Sequence, residues 1–121
     1  MNQATAIAER YLATWNETDA KRRGQLLVEG WMPSARYVDP LMQGQGVAEI
    51  DQLIAAVHQR FPGWRFTLIG AADGYADQVR FSWSLGPVGG EAVIKGTDFA
   101  TLQDDRLLSV SGFLDQIPEV P

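Results

Sequence analysis

Along the first half of the chain the apolar positions recur every three to four residues, and along the second half every two. Ala4, Ile7, Ala8, Tyr11, Leu12 and Trp15 share one side of a helical wheel, while Gln3, Glu9, Arg10 and Asn16 take the others. This spacing predicts an amphipathic helix over residues 3–17. Asp19 suits the N-cap of a second, short helix with Leu26, Leu27 and Trp31 as its apolar side and Pro33 at its exit. Residues 35–38 read as a short strand ending at Asp39-Pro40, because the residue before a proline is pushed into extended geometry. A loop with Gly44 and Gly46 follows. Ile50, Leu53, Ile54, Val57, His58 and Phe61 then line one face of a third helix, stopped by Pro62-Gly63.

Beyond this point Trp64, Phe66 and Leu68 alternate with Arg65 and Thr67, and Val79, Phe81, Trp83 and Leu85 alternate with Gln78, Arg80, Ser82 and Ser84. Gly and Asp at 70–77, and Gly and Pro at 86–90, mark turns. A further strand runs over 91–102. After a polar turn at 103–106, the last strand places Leu108, Val110, Gly112 and Leu114 on one face. Three helices with one short strand, followed by four consecutive strands, predict one α+β domain over residues 1–121, a curved antiparallel or mixed sheet wrapped around helices.

Composition narrows the function classes. With 121 residues, 45% of them apolar, the chain suits a single core. Ten Lys and Arg against fifteen Asp and Glu, with no basic run, argue against nucleic acid or an anionic membrane surface as partner. The absence of cysteine excludes disulfides, thiolate catalysis and Cys-based zinc sites and fits a cytoplasmic protein. A single histidine makes a metal site a poor expectation, and no cofactor motif is present: Gly44-Gln45-Gly46 precedes a helix but does not follow a strand of a βαβ unit.

One residue breaks the pattern. In the 91–102 strand the even positions are Ala92, Ile94, Gly96, Asp98, Ala100 and Leu102, so Asp98 faces where Ile94 and Leu102 face. A carboxyl there must find donors, hold its proton to an unusually high pH, or border a wet pocket. Tyr11 lies on the inner stripe of the first helix, and Asp39 ends the short strand, where the simplest role is an Asx turn. His58 sits on an apolar helix face, a place for a core or pocket-rim histidine.

Three stretches carry a more specific likeness: Arg10-Tyr11-Leu12-Ala13 with Asn16 and Asp19, then Val38-Asp39-Pro40, then Asp98-Phe99. On these and on its element order the chain resembles the NTF2-like superfamily of conical α+β barrels, and within it the SnoaL-like polyketide cyclases and ketosteroid isomerases. The resemblance implies Tyr11 as the oxyanion-binding tyrosine, Asp39 as the proton-shuttling base, and Asp98 as an acid kept neutral by an apolar site, as ketosteroid isomerase keeps one. A substrate pocket lined by Trp15, Met42, His58, Phe61, Phe81, Trp83, Val110 and Gly112 is expected with it. The implied function is acid–base proton transfer, an isomerisation or cyclisation, on a small hydrophobic carbonyl compound. The alternative is a domain that binds a hydrophobic small molecule without catalysis. A water-adding site would need an inward arginine between two acids, and Arg36 and Arg80 fall on the outward phase. The outer sheet face, with Lys95, Thr97, Phe99, Thr101, Ser109, Ser111 and Phe113, suits a homodimer contact.

Overall fold

A computed structural model describes residues 3–118. Its elements are α1 (Gln3–Asn16), α2 (Ala20–Gly30), β1 (Trp31–Val38), β2 (Gln43–Gln45), α3 (Val47–Arg60), β3 (Trp64–Tyr75), β4 (Gln78–Pro87), β5 (Ile94–Gln103) and β6 (Arg106–Gln116). The six strands form one sheet in the order β2-β1-β6-β5-β4-β3, with β1 parallel to β6 and the other pairs antiparallel. The sheet curves around the helices but does not close, so the barrel implied by the resemblance is an open cone with β2 and β3 at its edges. A sheet of six twisted strands can curl this far and still leave both edges free.

The helical stripes bury as their spacing predicts. Ala4, Ile7, Ala8, Tyr11, Leu12 and Trp15 of α1 enter one core with Leu27 of α2, Ile50 and Ile54 of α3, and the inner faces of the strands. Asp19 caps α2 through a 3.0 Å bond from the Arg22 N–H. At the exposed edge of β3, Asn16 stands in for a missing strand. Its amide donates to the Phe66 carbonyl at 2.9 Å and accepts from the Phe66 N–H at 2.7 Å.

Several element limits and one strand phase differ from the expectation, and β5 begins at Ile94 rather than 91. Strand β1 begins at Trp31 rather than 35, and Pro33 lies within it, in the irregular stretch where pairing with β6 shifts register between Trp31 and Arg36. A proline is tolerated there because no ladder N–H is required of it. The 43–45 segment is not loop but a short strand paired with residues 36–38. Strand β3 continues through the expected turn to Tyr75, because an irregularity between Ile69 and Asp73 absorbs the Gly-Ala-Ala segment without ending the pairing. In β6 Leu107 is buried and Leu108 is not, since the register shift at Thr101/Leu102 sets Leu102 opposite Leu107 while Thr101 pairs with Ser109.

Candidate active site

The inner surface of β5 and the end of β1 carry the two acids of the candidate site. Asp98 of β5 is 1% exposed. Its Oδ2 accepts from the Tyr11 hydroxyl at 2.7 Å and its Oδ1 from the Trp83 indole N–H at 3.1 Å. Tyr11 reaches it from α1, held by edge-on contact with Phe81 and by a stacked Trp31. Trp83 reaches it because it stands opposite Gly96 on β5. A Cβ at Gly96 would overlap the indole ring, so only glycine lets the ring lie against the β5 backbone and extend its N–H to the next inward position.

Asp39 arrives from the other side. In β1 the inward positions are Ala35 and Tyr37, and Asp39 continues that phase just past the strand end. Its Oδ1 accepts the N–H groups of Leu41 and Met42 at 2.8 and 2.9 Å, the Asx turn expected of it, and its Oδ2 accepts the Tyr37 hydroxyl at 2.6 Å. Between the acids lies Gly112 of β6, paired with Asp98. A Cβ at Gly112 would sit 2.9 Å from Asp98 Oδ1, 3.2 Å from Asp39 Cβ and 3.6 Å from the Tyr37 oxygen. Strand order thus brings Asp39, Tyr37 and Asp98 around one backbone position where a side chain is missing, and Tyr11 reaches Asp98 from the helix 87 residues earlier in the chain.

Electrostatics divide the roles. Burial pushes the Asp98 carboxyl up from an ordinary 3.8 to about 6; the bonds from Tyr11 and Trp83 work against that rise, and the charges of Asp39 and Asp115 add to it. The acid is therefore neutral below about pH 6 and largely charged at pH 7 in the unliganded protein, so the shift has the expected direction but stops short of a neutral acid at pH 7. Burial, and then the neighbouring Asp98, drive both Tyr11 and Tyr37 well above the usual range of a phenol. Both keep their protons and act as donors at any physiological pH.

The remaining expected pocket residues have varied positions. Trp15 packs at a tilt against Tyr37 and Phe66, and Phe66 meets Trp83 edge-on, so aromatic rings fill the interior beside the acids. Phe81 and Val110 are buried in the same core, and Met42 packs against it. His58 Nε2 bonds the Trp15 carbonyl at 2.6 Å, which ties α3 to the end of α1. Phe61 stacks on Trp64 near the C-terminus of α3. Two participants escaped the sequence reading: Tyr37, and Trp83 as a hydrogen-bond donor rather than a wall. The Tyr37-x-Asp39 alternation and the Trp83/Gly96 pairing are the signals that would have found them. Among the described residues no group of three His, Cys, Asp or Glu is placed to hold a metal ion.

An open six-stranded cone over three helices is the NTF2-like fold. An NTF2-like protein of unknown function from Mesorhizobium loti superposes with a TM-score of 0.69 at 19% identity over 93% of this chain and 91% of that one. The SnoaL-like domain family matches residues 8–110, and the chain belongs to that family. A proposed isomerase of the SnoaL-like family from Agrobacterium tumefaciens str. C58 is 47% identical, over 95% of this chain and 99% of that one, with a TM-score of 0.91. A proposed ketosteroid isomerase from Kribbella flavida DSM 17836 shares 23% identity over 98% of this chain and 82% of that one, with a TM-score of 0.71. No curated protein matches the chain. Among the described residues no helix is long and apolar enough to cross a membrane.

Proposed function

We propose that this protein moves a proton on a small apolar carbonyl compound, in an isomerisation or a cyclisation, with Asp39 as the base and Tyr11 and Asp98 as the groups that receive the oxygen. The observation that carries the reading is the Tyr11–Asp98 hydrogen bond in the dry wall of the cone, with a second carboxyl across Gly112. The Asp39 carboxylate takes a proton from the carbon next to the carbonyl. The C–H electron pair becomes a C=C bond, and the carbonyl π pair moves to oxygen. Asp39 then returns the proton to another carbon, or the enolate carbon closes a ring on a second carbonyl carbon of the same molecule, whose π pair moves to its oxygen and takes the proton back from Asp39. Positioning is supplied by the Asx turn and by Tyr37, which together fix the Asp39 carboxyl. Stabilisation of the enolate oxygen comes from hydrogen bonds donated by Tyr11 and protonated Asp98 in a low-dielectric wall.

In the unliganded protein the Tyr11 hydroxyl is engaged with Asp98. For Tyr11 to meet a ligand oxygen it must leave that carboxyl, which removes a bond favouring the charged form. Asp98 then takes up a proton and becomes the second donor. From about 6, protonation at pH 7 carries a cost on the order of 1 kcal/mol. Ligand binding is accordingly linked to proton uptake, and affinity for an enolate analogue such as a phenol rises as the pH falls toward 6.

The test is turnover of a panel of β,γ-unsaturated ketones, followed by the absorbance of the conjugated product, in wild type, Asp39→Asn and Asp98→Asn. Loss in the first variant and a smaller loss in the second support the reading, since an amide cannot serve as base but can still donate. The second reading, binding without catalysis, draws on the three hydrogen bonds that already occupy Asp39 as a turn residue. Phenolic ligands that raise the melting temperature of a protein with no turnover would select it.

The same reading includes a homodimer through the outer sheet face. Phe99 and Phe113 are 44% and 57% exposed and meet edge-on at 5.6 Å, beside a shallow concavity whose lining includes Asp73, Arg80 and Asp115. A face carrying both signs of charge around an apolar centre is complementary to its own copy across a two-fold axis. Light scattering at micromolar concentration is expected to report twice the 13.3 kDa chain mass, and a monomer would reject the contact.

A further inference from the structure

Tyr37 is buried, 4% exposed, and its hydroxyl stands between the two acids. On one side it donates to Asp39 Oδ2 at 2.6 Å. On the other side lie Asp98 and Tyr11. A Cβ at Gly112 would be 3.6 Å from the Tyr37 oxygen and 2.9 Å from Asp98 Oδ1, and the Tyr11 hydroxyl holds the second oxygen of that carboxyl at 2.7 Å. After burial, Asp98 is the strongest influence on the Tyr37 phenol, ahead of Asp39, and the Tyr11 hydroxyl acts on it as a hydrogen-bonding neighbour. The Trp15 ring lies against both phenol rings, 5.4 Å from that of Tyr37 and 6.2 Å from that of Tyr11 between centroids.

Protonation of Asp39 must change this arrangement. Its Oδ1 already accepts two N–H groups, those of Leu41 and Met42, which use both lone pairs of that oxygen. A proton taken from a substrate therefore goes to Oδ2. A carboxylate oxygen only accepts, whereas the hydroxyl of a neutral acid donates and keeps little of its power to accept. The Tyr37 hydrogen then loses its partner. A buried donor without an acceptor is costly, so the hydroxyl turns about its C–O bond to the side where acceptors stand. These are the Tyr11 oxygen and, during reaction, the enolate oxygen beside it. Asp39 Oδ2–H donates in turn to the Tyr37 oxygen.

We propose that Tyr37 is a two-way switch: its hydroxyl faces Asp39 while that base is charged and turns to the Tyr11–Asp98 side when the base takes up a proton. A third donor thus reaches the oxyanion side as negative charge develops there. This role rests on the acid–base reaction inferred above and goes beyond holding Asp39 in place. No covalent bond of Tyr37 is made or broken. Its own proton stays on its oxygen, the substrate proton sits on Asp39 Oδ2, and departure of that proton turns the hydroxyl back.

Protein labelled with ¹³C at the phenol carbon of tyrosine provides the test, without substrate. Three tyrosines give three signals, assigned by substitution to Phe, and Tyr75, 76% exposed, is the internal control. Asp39→Asn stands for the protonated base, since its amide keeps an oxygen for the turn and offers an N–H to Tyr37. At about pH 8, where Asp98 is charged, this substitution is expected to displace the Tyr37 and Tyr11 signals and spare Tyr75. Made in Tyr37→Phe, it is expected to leave Tyr11 in place. A Tyr37 signal unmoved by Asp39→Asn would overturn the switch. So would equal displacement of Tyr11 with and without the Tyr37 hydroxyl, which would assign the effect to the Asp39 charge acting through space. Acid titration of the wild type requires no variant to fold. There the Tyr37 signal is expected to move with the Asp39 carboxyl signal, and movement with the Asp98 step near 6 alone would overturn the switch. A ketone panel without turnover would sink the reaction while leaving these signals readable, so the two fail separately. Where turnover is found, Tyr37→Phe is expected to lower kcat about tenfold at little change in KM.

Discussion

Arg23 and Asp98 are both ionisable side chains sealed in the protein, 4% and 1% exposed, and they are satisfied in opposite ways. Arg23, on α2, meets a charge of the other sign: its Nε bonds Asp51 of α3 at 2.6 Å, and its Nη1 donates to the Glu17 carbonyl at 2.9 Å. Asp98 meets only neutral donors, a phenol and an indole. The Arg23 pair serves as a tie between α2 and α3. At Asp98 burial outweighs the two bonds that favour the charged form and moves its proton equilibrium up to about 6, and an equilibrium near physiological pH is the property proton chemistry needs.

This contrast orders the expected effects of substitution. The largest falls on chemistry. If the Asp98 side of the cone is the reactive one, Asp39→Asn reduces turnover of a β,γ-unsaturated ketone by about a thousandfold, as removal of a general base does, with the far-UV spectrum unchanged. Wild-type turnover retained in this variant would strip Asp39 of its role. On the Arg23 side the effect is on stability alone. Asp51→Ala leaves a buried guanidinium with one carbonyl partner and is expected to cost about 3 kcal/mol in urea unfolding, discounted from a fully buried pair because Asp51 is about one-third exposed.

Asp98→Asn sharpens the comparison, since it should raise stability rather than lower it. The folded protein holds the Asp98 proton up to about pH 6, whereas the unfolded chain releases it near 3.8. This group therefore favours folding below about pH 4, and the advantage is lost as the pH rises through 6, a change on the order of 3 kcal/mol. The amide avoids the buried charge and can accept from Trp83 while donating to the Tyr11 oxygen. At pH 7 the variant is expected to be more stable than wild type by about 2 kcal/mol and to lack the fall between pH 4 and 6. Smallest is Tyr37→Phe, which removes one bond to Asp39 and is expected to cost about 1.5 kcal/mol, with a lower kcat at little change in KM.

The two regions were not equally legible in the sequence. Asp98 announced itself because alternation along β5 is regular and an acid violates it. Tyr11 read as an inner-stripe tyrosine and Asp39 as a turn residue before a proline, and only the family resemblance singled them out as partners of Asp98. Arg23 carried no such signal, because an arginine among Lys21, Arg22 and Gly24 looks like a solvated turn of helix until α3 covers it. Trp83 read as core for a similar reason. Its N–H matters only through the cross-strand glycine that admits the ring, and cross-strand partners are set by the register between strands, which the alternation within each strand does not encode. Bulges explain the displaced limits of β1 and β3 and the exchange of Leu107 for Leu108.

The carboxyl titration of Asp98 tests the central claim most directly. In ¹³C-labelled protein its carboxyl signal, assigned by its loss in Asp98→Asn, is predicted to titrate with a midpoint near 6 and to move upward when a phenol is bound. A midpoint at or below 4, unmoved by any ligand, would show a permanently charged anchor and contradict the account.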